Sequence, residues 1–156
     1  MTALMGIGGE AVHEDTTVID SSAEVPVGTK AKDTGGNEYI YLQGVASTVA
    51  NDWVTFDEAG LTIRAVANAK GRVAIAQAAT VANTFGWYQI YGSATGNALT
   101  SFADNGAVFL TATAGSVDDA DVAGDAIIGA VGRSALASGV ATFELNYPVV
   151  QDIAID

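Results

Sequence analysis

Few residues in this chain are of a kind that does chemistry. His13 is its one histidine, and it stands among Glu10, Glu14 and Asp15. A Ser-His-Asp triad would need it ordered against a distant serine. A zinc site needs three or four nitrogen or sulfur ligands, and one histidine without cysteine does not supply them. The densest acidic run is Asp118-Asp119-Ala120-Asp121-Val122-Ala123-Gly124-Asp125. Calcium takes six to eight oxygen ligands, so such a run invites a calcium reading. It lacks the alternating acids, glycine and distal glutamate of an EF-hand, and the expectation is a solvated loop with no metal and no cofactor. Asp57-Glu58 is the nearest carboxylate pair, but neighbours on a strand point to opposite faces, which suits paired acid–base work poorly. Gly6-Ile7-Gly8-Gly9 is not a phosphate loop, because no Lys-Ser/Thr and no strand-to-helix context follow it. No catalytic residue is assigned, and the expectation is a structural or binding protein.

The elements that would position these groups read as all-β. Gly71–Gly92 reads as two strands around a short connection, the second carrying Phe85-Gly86-Trp87-Tyr88-Gln89-Ile90-Tyr91-Gly92. Asp33-Thr34-Gly35-Gly36-Asn37 is a hairpin signal ahead of Glu38–Gln43. Leu61 and Ile63 share one face of a short strand, Thr62 and Arg64 the other. Val140–Tyr147 alternates, with Ala141, Phe143, Leu145 and Tyr147 inward, before Pro148 breaks the strand. Gly129 and Gly132 predict a bulge or bend. Alanine-rich residues 44–50 and 76–83 have room for a short helical turn. Eight to ten short strands with frequent turns predict a β-sandwich or barrel, with a jelly roll among the possibilities. Residues 1–27 lack a period of 2 or 3.6 and read as an extended N-terminal arm, residues 28–148 as the β domain, and residues 149–156 as a C-terminal tail.

The 156 residues suffice for one domain with its own core. Eighteen acidic residues against six basic ones give a net charge of −12. That balance argues against nucleic acid and anionic membranes, which recruit clustered Lys and Arg. The absence of cysteine removes disulfides and thiolate chemistry. The N-terminus lacks a basic region followed by an apolar run, so a secretory signal is not expected. No segment approaches the roughly 20 apolar residues of a membrane helix. Synthesis and solubility in a cytoplasm are the expectation.

The Asp33–Gln43 hairpin with Gly-Gly-Asn and Tyr-Ile-Tyr, the Gly86–Gly92 strand, the Thr113-Ala114-Gly115 turn before the acidic loop and the closing Asn146-Tyr147-Pro148 resemble the head decoration, or cement, proteins of tailed bacteriophages. The resemblance spans about residues 28–150. It implies a virion protein on the outer capsid surface, made in the host cytoplasm. Such a protein would bind the major capsid protein and itself, as a trimer at local threefold axes, without touching DNA or a membrane. On grounds of exposure alone, partner contacts are expected from Met5, Ile7, Val12, Val18 and Ile19 in the arm, from Trp87 and Tyr91, and from Val150, Ile153 and Ile155 in the tail. Tyr88, Ile90, Val108, Leu110, Phe143 and Leu145 are expected in the core. A tail- or fibre-associated virion protein and a carbohydrate-binding module, with Trp87 or Tyr91 in a groove, are the alternatives.

Overall fold

A computed structural model describes residues 4–6, 11–13 and 15–151, with side chains for all but residues 11–13. The strands in chain order are β1 (Leu4–Gly6), β2 (Ala11–His13), β3 (Lys30–Lys32), β4 (Glu38–Gln43), β5 (Trp53–Phe56) and β6 (Thr62–Arg64). They continue with β7 (Gly71–Ala76), β8 (Phe85–Asn97), β9 (Ala107–Leu110), β10 (Val117–Asp118), β11 (Ala126–Gly132) and β12 (Val140–Val150). No helix forms among the described residues, and the alanine-rich stretches 44–50 and 76–83 hold turns and bridges. The strands pair antiparallel in the order β10-β9-β11-β12-β7-β8-β4-β3-β1-β2, with β5 on β7 and β6 on β5. The sheet does not close into a barrel, and the fold is sandwich-like.

The centre of this order is β8. It does not stop at Gly92, where the sequence pattern suggests an end, but runs five residues further to Asn97. Its first half pairs with β4, from Gln43↔Phe85 to Glu38↔Tyr91. Its second half pairs with β12 over seven positions, from Val140↔Asn97 to Asn146↔Tyr91. The change of partner falls at Gly92, whose φ of +94° is one that a side chain would resist. Beyond Asn146 the two strands part. β8 continues beside β4, while the end of β12 pairs with β7 through Val149↔Arg72 and Val150↔Gly71.

Alternation along these strands feeds three apolar clusters. Ala94, Phe143 and Leu145 join Trp53, Ile75, Phe102, Val108 and Leu110 in the largest. Ile40, Leu42, Tyr88 and Ile90 meet Val54, Phe56, Ala74 and Ala76 on one face of the β4–β8 pair. Tyr39, Tyr41 and Trp87 fill the opposite face with Leu4 and Ala31. The aromatic strand is therefore covered on both sides. Its second cover includes residues of the expected arm: Leu4 is fully buried, and β1 pairs with β3 through Met5↔Lys32 and Gly6↔Ala31. Asp20 and Phe85 exchange backbone hydrogen bonds of 2.8 and 2.9 Å, and the Tyr41 hydroxyl donates to Asp20 Oδ2 at 2.5 Å. Leu4, with Val25 packed partly buried against the same cluster, thus belongs to the chain's own core.

Two inward-facing polar groups tie the layers. Asp52 is fully buried and takes Arg64 Nε at 2.7 Å, the Val49 N–H at 2.9 Å and Asn97 Nδ2 at 3.0 Å. Arg64 also donates to the Ala114 carbonyl at 2.9 Å. β6, the end of β8 and the loop before β5 thus converge on one carboxylate. This explains β6, where Thr62 is buried and Ile63 is 62% exposed: the polar face turns inward because Asp52 and the Gln43 carbonyl, bonded by Thr62 Oγ1 at 2.8 Å, lie there. Asp33 performs the same service in its hairpin, accepting from the Gly35 and Asn37 N–H groups, Asn37 Nδ2 and the Tyr39 hydroxyl. Burial alone would raise the Asp33 pKa, but these bonds outweigh it and hold the carboxyl below 3.8. Its contribution to stability is complete above that value and is lost as the pH falls through the lowered one.

Trp87 is 1% exposed, and its ring lies 5.1 Å from that of Tyr41 at a tilt of 57°. It is a core residue, contrary to its expected role as a partner anchor. The substitution Trp87→Ala is expected to destabilise the domain by about 3–5 kcal/mol, measured as a lower urea midpoint. An unchanged midpoint would return Trp87 to the surface.

Candidate functional site

The site grows from the fork where β8 and β12 part. At that point β12 carries Asn146-Tyr147-Pro148 opposite Gly129 of β11, and the register shifts between Ile128↔Val149 and Ala130↔Leu145. Gly129 sits at φ +84°, and a Cβ there would lie 2.6 Å from the Asn146 carbonyl oxygen. The bulge expected at Gly129 is present, and it bends β12. Pro148 does not break the strand: it lies inside β12, which continues to Val150. Proline is tolerated there because a bulge position has no ladder bond to lose.

Tyr147 takes the strain of this bend. Its φ is +48°, rare for a bulky residue and of order 1–3 kcal/mol in cost. The bend also turns its side chain outward, so Tyr147 is 51% exposed and not inward as strict alternation predicts. Its ring stands 5.2 Å from that of Tyr91, itself 39% exposed. Lys30 Nζ lies 6.0 Å from the Tyr147 centroid, and the Tyr147 hydroxyl donates to Glu38 Oε2. That bond, with a little desolvation, pushes the Tyr147 pKa up to about 12.

The fork leaves an opening into the core. A pocket of about 160 Å³ lies among Ile40, Phe56, Val73 and Ile90, with Tyr147 and Pro148 on one side and Lys30 and Arg72 at its mouth. The Arg72 guanidinium covers the Phe56 ring at 4.4 Å and donates to the Asp57 carbonyl at 3.0 Å. On the far side of the tyrosine pair, Tyr91 walls a more polar groove with Ser93, Arg133, Glu144 and Asn146. Arg133 Nε bonds Glu144 Oε2 there at 2.8 Å, both side chains being exposed. A third, open groove runs past Phe56, Ile63, Lys70, Arg72 and Val149 to Gln151.

Of the residues expected to meet partners, Tyr91 stands in this site and Val18 is exposed elsewhere. Val150 is fully buried in the main core, because β12 continues past Pro148 and carries it inward. Ile19 is half-buried and packs onto Gly86 of β8, and Met5 is half-buried in β1. Val12 lies in β2, with its side chain outside the described residues, as are Ile7, Ile153 and Ile155. All six expected core residues are buried. The sequence reading missed Lys30, Arg72, Glu38 and Tyr147. The available signal was Pro148 within an alternating strand, which marks a bulge as readily as an end.

The acidic loop divides its carboxylates among backbone donors. Asp119 Oδ2 accepts from the Ala103 N–H at 2.9 Å, and buried Asp125 from the Asn68 N–H at 2.6 Å. Asp57 Oδ1 likewise caps its own turn through the Ala59 and Leu61 N–H groups. No group of three metal-ligating side chains occurs among the described residues. The fork surface presents two aromatic faces, an apolar recess and two cations. Compared with protein-family models, with curated proteins and with solved structures, the chain matches none.

Because its folded pKa is raised, the Tyr147–Glu38 bond contributes fully below pH 10 and is lost as the pH climbs from 10 through about 12. Replacing Glu38 with Gln is expected to bring the Tyr147 titration step down toward 10.0, followed by NMR of the tyrosine ring carbons. A step that stays near 12 would show that Glu38 does not hold it.

Proposed function

We propose that this protein is a non-catalytic structural protein of a virion, a decoration protein that sits on the outside of a tailed-phage head and bridges neighbouring capsid subunits. The fork carries the reading. A bulky residue is kept in a strained backbone conformation, and the result is a solvent-facing tyrosine pair beside an apolar recess. Strain of that kind is retained where a surface is used, and tyrosine is prominent among residues that anchor protein interfaces. The inward-facing carboxylates Asp33, Asp52 and Asp125 are bonded to their own chain, which is the economy of a scaffold. A cement protein works by contact area and repetition: many copies on a shell multiply a modest single contact. In this reading the chain self-associates, as a trimer, and its major partner is the capsid protein. Its charge of −12 calls for basic or polar patches on the capsid face.

A carbohydrate-binding role is the second reading, favoured by one observation: Tyr91 walls a groove with Arg133, Glu144 and Asn146, an aromatic face beside hydrogen-bonding groups. The two readings separate in a sedimentation experiment with expanded phage heads stripped of decoration protein. The decoration reading expects saturable co-sedimentation that Tyr91→Ala and Tyr147→Ala weaken while the fold is retained. Absence of co-sedimentation, with NMR shift changes at Tyr91 and Arg133 on adding polysaccharide, would transfer the weight to sugar binding.

A further inference from the structure

We infer that the fork pocket receives an acidic, aliphatic segment of a second copy of this chain, residues 152–156, with one isoleucine in the recess and the flanking aspartates against Lys30 and Arg72. The inference rests on the self-association in the proposed function, but not on capsid binding.

The pocket's chemistry is one-sided. Its walls are Ile40, Phe56, Val73, Ile90 and Pro148, and the two charged residues lining it are both cations. The whole chain has only six cations against eighteen acids, so such a lining is unusual here. Both cations are placed over rings, Lys30 over Tyr147 and Arg72 over Phe56, which leaves their charge at the rim above an apolar floor. An occupant must therefore join an aliphatic group to nearby carboxylates. At about 160 Å³ the recess has room for roughly five waters, at about 30 Å³ each, which is the scale of one branched side chain. The sequence Asp152-Ile153-Ala154-Ile155-Asp156 has this composition: branched aliphatics at alternate positions, an aspartate at either end and no cation.

The path of β12 favours a second copy over the same one. Tyr147 and Pro148 line the fork pocket, whereas Val149, Val150 and Gln151 line the open groove beyond it. The strand is thus travelling away from the fork at Gln151, which favours a neighbouring copy as the source of the occupant. The open groove shares Phe56 and Arg72 with the pocket but is lined by Asp57 and Glu58 as well as Lys70, so the purely cationic lining belongs to the pocket.

The test is the mass of the full chain across a concentration series, by light scattering. Lys30→Glu and the double substitution Ile153→Asp/Ile155→Asp are each expected to raise the concentration needed for association by at least about tenfold, with unchanged urea midpoints, since Lys30 is exposed. Combining Lys30→Glu with Asp152→Lys and Asp156→Lys is expected to restore association, which a merely unfolded variant would not do. A wild-type chain that stays monomeric, variants that associate like wild type, or a charge reversal that restores nothing would each overturn the proposal. Capsid co-sedimentation of a monomeric chain would leave the decoration reading standing while this one fell.

Discussion

Two strands that pair for seven residues and then separate set the terms for everything else. While β8 and β12 run together, their inward residues Ala94, Phe143 and Leu145 fill the main core. Once they part, β8 must find cover on both faces, and β12 must bend to reach β7. The first requirement is met by Val54, Phe56, Ala74 and Ala76 on the side of Tyr88 and by the buried Leu4 on the side of Trp87. The second is met by Gly129, by Pro148 and by the positive φ of Tyr147. The opening left between the diverging strands is the fork pocket. Its rim residues are those that antiparallel registers bring there: Lys30 opposite Ile40, and Arg72 opposite Val149.

The same economy governs the charges. Buried carboxylates are unfavourable unless bonded, and losing one partner of a buried ion pair costs about 3–5 kcal/mol. Asp52 meets that condition by gathering Arg64, Asn97 and a loop N–H at the point where β5, β6 and β8 converge. Asp125 and Asp119 pin loops to their neighbours in the same way. These groups fix geometry. What remains outward is an acidic surface interrupted at the fork by aromatic rings and cations, and it is this interruption that supports a reading as a contact surface.

Much of the fold was legible because alternation has period two and turn chemistry is local. The Asp33–Asn37 hairpin, the inward set Val108, Leu110, Phe143 and Leu145, and the bulge at Gly129 follow from pattern alone. The errors share a cause: pattern does not reveal which strand lies alongside. Trp87 looked surplus because one face of β8 already had Tyr88 and Ile90. Its cover comes from Leu4, more than eighty residues away. Pattern likewise left open which face of β6 turns inward, and it is the buried Asp52 that draws Thr62 and Arg64 there while Leu61 and Ile63 stay exposed. Tyr147 sits in register with the inward residues until the bulge turns it outward. The candidate site was least legible of all, because Lys30, Arg72, Tyr91 and Tyr147 are brought together only by the divergence of two strands.

In the proposed role, this divergence makes the surface through which the protein would join a capsid. Hydrogen exchange of the free chain compared with the chain bound to expanded heads tests it most directly. The account predicts added protection in peptides covering residues 29–32, 89–93 and 144–149, with the rest of the sheet unchanged. Protection gained only on remote elements, such as the Asp118–Asp125 loop, with the fork exchanging as it does in the free protein, would contradict it.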